Sequence, residues 1–104
     1  MGKFVLAYKG GAMGDTPEEQ QAHMEAWMNW FGALGTSVVD AGNPFAGSRT
    51  VASDGTAIDG GSAELTGYSI ITADSLDVAA EKANGCPVLS SGGTIDVYEA
   101  LDMG

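Results

Sequence analysis

The sequence predicts an α+β fold: a four-stranded antiparallel sheet, both helices on one face, and a hairpin carried as an insertion. Three observations predict it. Short apolar runs of strand length recur four times along the chain. Two segments with helical spacing and recognisable caps separate the first run from the second and the third from the fourth. A stretch with β-friendly ends around Asp54-Gly55 falls between the second and third runs, where it interrupts the alternation without adding to it.

Lys3 to Lys9, KFVLAYK, is too short for a helix and reads as a central strand. After the loop GGAMGD, Thr16-Pro17-Glu18-Glu19 marks a helix start. Thr16 can cap, Pro17 has its φ pre-set for the first helical position, and Glu19 completes a capping box. The helix is expected to run to Leu34 and stop at Gly35. TSVVDAGNPF is the second strand, broken at Gly42-Asn43-Pro44, and Arg49 to Asp59 is a hairpin turning at Asp54-Gly55. LTGYSIITA is the third core strand. Asp74-Ser75 opens a second helix with Leu76, Ala79, Ala80 and Ala83 as its apolar face, ending at Gly85. GGTIDVYEAL is the last strand, with Ile95, Val97 and Leu101 alternating against Thr94, Asp96 and Tyr98.

Without the hairpin the order is βαββαβ, and right-handed crossovers give the ferredoxin-like arrangement. In that arrangement the first and third strands are expected side by side and parallel at the middle of the sheet. Tyr8, Tyr68 and Tyr98 cannot all turn toward the helices. A sheet with apolar groups on both faces calls for a homodimer.

The 104 residues suffice for one domain with an ordinary core. Fourteen acidic against 4 basic residues give a net charge of -10, which repels phosphate backbones and anionic lipid, so neither nucleic acid nor membrane is an expected partner. The single cysteine excludes an internal disulfide and fits a reducing cytoplasm. No stretch approaches the roughly 20 apolar residues of a membrane span. One histidine, one cysteine and scattered acids have no metal-ligand spacing, and the glycine clusters form no dinucleotide fingerprint, so no metal or cofactor is expected.

The candidate site centres on His23, in helical register with Trp27, Trp30 and Leu34 and so turned toward the sheet or the rim of a cleft. One reading is a core histidine with both nitrogens satisfied. The other is a proton-handling group, since an ordinary pKa of about 6.5 lets imidazole take and return a proton at neutral pH. A base needs an orienting carboxylate, and Asp40 and Asp59 are the two choices. Asp59 reads equally as a turn residue. Tyr8 and Tyr68, on the two central strands, can present hydroxyls to the same cleft or pack with a satisfied tip. Arg49, the only arginine, can clamp a carboxylate or phosphate, or stand solvated on the hairpin. Cys86 reads as structural, and Trp27 and Trp30 as core first and ligand walls second.

Three stretches carry a family resemblance. They are Thr16-Pro17-Glu18-Glu19 with Ala22-His23 and Trp27, then IDGGSAELTGYSII from Ile58 to Ile71, then Cys86-Pro87 ahead of SSGGTIDVYEAL. In this order, across nearly the whole chain, they resemble the YCII-related family, in the branch named for a DGPF motif. Of the signature only Asp59-Gly60 remains, with Gly61 and Ser62 where Pro and Phe would stand. The resemblance implies a dimeric αβ barrel, two sheets packed face to face around a cleft holding a His and an Asp. Proteins of this architecture include isomerase-like, dehalogenating lyase-like, monooxygenase-like and haem-handling members. Two functions follow as expectations. The first is proton transfer on a small organic acid or lactone (isomerisation, elimination or hydrolysis), with His23 as acid or base, Asp59 or Asp40 orienting it, and Arg49 or a tyrosine as anchor. The second is a non-catalytic small-molecule-binding or accessory dimeric module.

Overall fold

The computed structural model describes residues 2–12, 14–59 and 65–103. Strand β1 (Gly2–Lys9) leads to helix α1 (Pro17–Leu34), a 3-10 turn (Gly35–Ser37) and strand β2 (Val38–Asp40). Strands β3 (Arg49–Val51) and β4 (Ala57–Asp59) form the hairpin. Strand β5 (Leu65–Ala73), helix α2 (Leu76–Ala83), a short helix α3 (Pro87–Ser90) and strand β6 (Thr94–Ala100) complete the chain. The main sheet has the order β2-β5-β1-β6, and each neighbouring pair is antiparallel.

The expected parallel pairing of the first and third core strands is therefore corrected. Val5 lies opposite Ile70 in an antiparallel ladder. The physical reason is the chain's own path. Helix α1 returns the chain so that β2 runs with β1, and the excursion through the hairpin reverses it once more before β5.

Local chemistry accounts for the ends of α1. The Thr16 hydroxyl accepts the Glu19 amide at 3.1 Å, and the Glu19 carboxylate reaches back to the Asp15 amide at 2.8 Å, one residue earlier than a standard capping box. The helix stops at Gly35, whose φ of 57° costs other residues more than glycine. In the hairpin, Ala52 and Thr56 close a three-residue loop in which Gly55 takes a φ of 93°. The turn is thus longer than the two-residue form that Asp54-Gly55 suggests. Asp54 accepts both the amide and the hydroxyl of Thr56, which holds its carboxyl below the usual range.

The core occupies one face of the sheet. Phe4, Leu6 and Tyr8 of β1, with Ile71 and Ala73 of β5, pack against Trp30, Ala79, Ala83, Cys86 and Val88. Helix α2 is rotated from its expected face. Ala79 and Ala83 are buried, while Leu76 is 45% exposed and Ala80 faces out. The inward side also takes Lys82, whose ammonium donates to the Ser37 hydroxyl (3.0 Å) and the Thr72 carbonyl (3.1 Å), and whose own carbonyl accepts the Trp30 indole.

Cys86 and Pro87 do not simply trail a helix. They open α3, with Cys86 as its N-cap and Pro87 in the first turn, an element the sequence reading lacks. Leu101, expected in the last strand, lies beyond it and is exposed.

The opposite face carries Val5 and Ala7 of β1, Tyr68, Ile70 and Thr72 of β5, and Asp96 and Tyr98 of β6. Tyr98 is 57% exposed. The molecule measures 44 × 39 × 18 Å, and the short axis has room for one sheet and one layer of helices. Among the described residues no helix is long and apolar enough to cross a membrane.

Candidate functional site

The carboxyl end of β1, the first turns of α1 and the segment after β2 meet at one end of the sheet, with Tyr8 on the helix face and Tyr68 on the open face, while Arg49 and Asp59 belong to the separate hairpin. Tyr8 is buried, and its hydroxyl donates to the Ser69 hydroxyl at 2.7 Å. Ser69, fully buried on β5, donates in turn to the Ala41 carbonyl at 2.6 Å. The Cys86 thiol lies beside the same tyrosine. Burial pushes the Tyr8 hydroxyl up, against a smaller opposing effect of Ser69, and pushes the Cys86 thiol up to about 11. Both groups are therefore neutral at pH 7, with the tyrosine proton already committed. Tyr8 is a structural hydroxyl here, and Cys86 is a buried thiol rather than a nucleophile.

His23 stands two turns into α1, partly exposed. Its Nε2 accepts the indole N–H of Trp27 at 2.8 Å, one helical turn on. Trp27 is held from several sides. Its ring meets Tyr8 edge-on at 5.1 Å and Trp30 at 5.7 Å, and Phe31 lies 5.8 Å away. The aromatic cluster thus couples the histidine to the core, and no carboxylate among the described residues is bonded to it.

The two carboxylates expected beside it are engaged elsewhere. Asp40, at the end of β2, accepts the Gly42 amide at 2.8 Å and the Tyr68 hydroxyl at 3.2 Å. Tyr68 in turn stacks on Phe45, with ring centroids 5.7 Å apart and planes 17° from parallel. Asp59 sits on the hairpin, its side chain 94% exposed, in an ion pair with Arg49 across the β3–β4 ladder. Gly60 to Glu64, the rest of the signature stretch, lie outside the described residues.

The structure therefore joins Tyr68 to Asp40 and Arg49 to Asp59, and leaves His23 with an indole. Trp27, Ser69 and Phe45 are the partners that sequence reasoning missed. The spacing of 23 and 27 was visible, but an indole is seldom considered as the group that fixes a histidine. Ser69 and Phe45 announce themselves only once the strands are paired. Among the described residues no group of three or more His, Cys, Asp or Glu side chains is placed to hold a metal ion. In comparisons with known proteins, no family model matches the chain and no curated sequence does either.

Proposed function

We propose that the protein is a small-molecule-binding module that works as a homodimer. In this reading two ferredoxin-like subunits pack their open sheet faces into an αβ barrel of the YCII-related, DGPF-branch type. The ligand is a small organic acid or lactone received near His23, in the cytoplasm. The strand order, with β1 and β5 central and β2 and β6 outside, is the order that a ferredoxin-like subunit requires. The row Tyr98, Val5 and Ile70 across the open face supports the dimer, because large apolar side chains in register suit burial against a second sheet.

One observation carries binding over catalysis. His23 accepts from an indole, and the two candidate carboxylates bond other partners. A proton-transfer histidine needs a group that stabilises its charged form, and an indole N–H stabilises only the neutral one. The test combines light scattering with thermal shifts against a panel of small carboxylic acids and lactones, and NMR of the same mixtures for turnover. The expected result is a dimer mass, a raised melting temperature for at least one compound, and no turnover. A stable monomer at micromolar concentration overturns the dimer, and turnover abolished by His23→Ala in a folded protein overturns the binding reading.

A catalytic reading has one observation of its own, the Tyr68 hydroxyl on the Asp40 carboxylate at the edge of the open face. There Asp40 would be the base and Tyr68 the group that returns the proton. Turnover lost in Asp40→Asn and kept in His23→Ala would select it.

A further inference from the structure

We infer that Trp27 fixes His23 as the Nδ1–H tautomer, and that this makes His23 a neutral hydrogen-bond donor for an uncharged carbonyl oxygen, such as that of a lactone. The inference rests on the ligand-binding reading above and narrows its ligand class.

The first step is an inventory of donors and acceptors. An indole nitrogen only donates, so the 2.8 Å contact requires a lone pair on Nε2 of His23. A neutral imidazole with its lone pair on Nε2 carries its proton on Nδ1. The indole cannot turn away to release Nε2, because Tyr8, Trp30 and Phe31 hold its ring. The imidazole therefore has one group left to offer, an N–H at Nδ1. Among the described residues no side chain or carbonyl accepts from it, and the residue is partly exposed. Trp27 is a positioning residue in this scheme, and His23 is the residue that meets the ligand.

The second step is charge. The same helix carries Glu18, Glu19 and Glu25, the preceding loop carries Asp15, and the chain as a whole bears a net charge of -10. Of the four cations, Arg49 pairs with Asp59, Lys9 with Asp96, and Lys82 donates to Ser37 and Thr72, while Lys3 stands at the opposite end of β1 from Tyr8 and the aromatic cluster. A carboxylate arriving at a neutral donor meets acidic neighbours and no compensating cation. An uncharged carbonyl needs only the donor. The aromatic surround suits the apolar ring of such a ligand.

The test uses the one-histidine composition, which makes the imidazole spectrum free of overlap. Long-range proton–nitrogen correlation NMR on 15N-labelled protein at pH 8 identifies Nε2 as the nitrogen coupled to both ring-carbon protons. The expected spectrum has Nε2 at the unprotonated position and Nδ1 at the protonated one, and Trp27→Phe shifts the population toward the Nε2–H form. A protonated Nε2 in the unaltered protein overturns the inference even if Trp27→Phe fails to fold. A tautomer unchanged in a folded Trp27→Phe overturns the role of Trp27.

The ligand class is then probed with γ-butyrolactone and with acetate. The lactone is expected to perturb His23 where acetate does not. His23→Gln, which can accept from the indole and still donate, keeps lactone affinity, while His23→Leu loses about 3- to 10-fold, the share of one neutral hydrogen bond. Equal lactone binding by His23→Leu, or acetate bound in preference, overturns the donor role. These outcomes are separate from the failure of the wider reading, which light scattering and the compound panel report.

Discussion

The chain Tyr8–Ser69–Ala41 yields a sharp test because Tyr8 and Ser69 are buried and linked in series to the carbonyl of the exposed Ala41. Tyr8→Phe removes the donor to the Ser69 hydroxyl but leaves that hydroxyl bonded to the Ala41 carbonyl. The loss is one neutral hydrogen bond, about 1 kcal/mol. Ser69→Ala is worse, since it strands the buried Tyr8 hydroxyl and also removes the bond to the Ala41 carbonyl, which water can then reach. With about 1 kcal/mol for the buried hydroxyl, the low end because the Cys86 thiol gives it partial relief, and about 1 kcal/mol for the lost Ser69 bond, the cost is about 2 kcal/mol. The double variant loses only the bond to the Ala41 carbonyl and costs about 1 kcal/mol. It is thus more stable than Ser69→Ala alone, and the coupling energy is about −2 kcal/mol.

The assay is urea unfolding followed by far-UV circular dichroism, all four proteins at one concentration. With slopes of roughly 1–3 kcal/mol/M, each kcal/mol moves the midpoint by roughly 0.3–1 M, so the ordering is measurable. Costs that add to within about 0.5 kcal/mol would mean that the three groups do not form a chain, and the account of this end of the core would fail.

Other perturbations read other parts of the molecule. Gly42 has a φ of 78°, and a Cβ there would be driven into the Tyr68 carbonyl. Gly42→Ala is therefore expected to cost about 2–5 kcal/mol in the same urea assay. Gly32, inside α1 with open space around it, is the contrast: Gly32→Ala should stabilise by about 0.5–1 kcal/mol. Cys86 holds its proton more tightly folded than unfolded. Its contribution is intact below the ordinary thiol value of 9.0 and is lost as pH rises toward about 11, and urea midpoints should fall over that window, less so in Cys86→Ala. A thiol reagent at pH 8 should label native protein slowly and unfolded protein at once. Ile70→Asp puts a charge in the middle of the open face. In the proposed dimer it should yield a folded monomer by light scattering, and an unchanged dimer mass would move the interface elsewhere.

How far the sequence is legible depends on whether a signal is local. The cap at Thr16, the stop at Gly35 and the span Leu65–Ala73 are set by neighbours along the chain, and the structure has them where the residues ask for them. The direction of β5 depends on counting reversals through an excursion, which no residue encodes. The face of α2 depends on what lies opposite. Leu76 is the more apolar residue, but the small Ala79 and Ala83 are the ones that turn into the core cluster. Pro87 does mark a first helical turn, but Gly85 just before it already accounts for a helix end, which hides α3 in the sequence. At the site, residue types were legible and pairings were not. Asp40, Asp59, Arg49, Tyr68 and His23 each have a polar partner, but histidine meets tryptophan and tyrosine meets aspartate.

The register of the open face explains how a sheet can ask for a partner and still keep a polar region. Val5 lies between Tyr98 and Ile70, an apolar row that gains from being covered. Two residues on, Ala7 lies between Asp96 and Tyr68, and each of those bonds a polar neighbour, Lys9 and Asp40 respectively. The two rows cannot be treated alike by a second sheet. Burying the first is favourable at once, whereas burying the second would strip water from an ion pair and a tyrosine–carboxylate bond. The small side chain of Ala7 leaves depth between its larger neighbours. A dimer built on this face therefore closes most tightly along the row of Val5 and stays open along the row of Ala7. That second row belongs to the carboxyl end of β1, the end from which the chain turns into α1 and on to His23. In the proposed dimer a hollow at that end would follow from which side chains a second sheet can cover without stripping water from a polar pair.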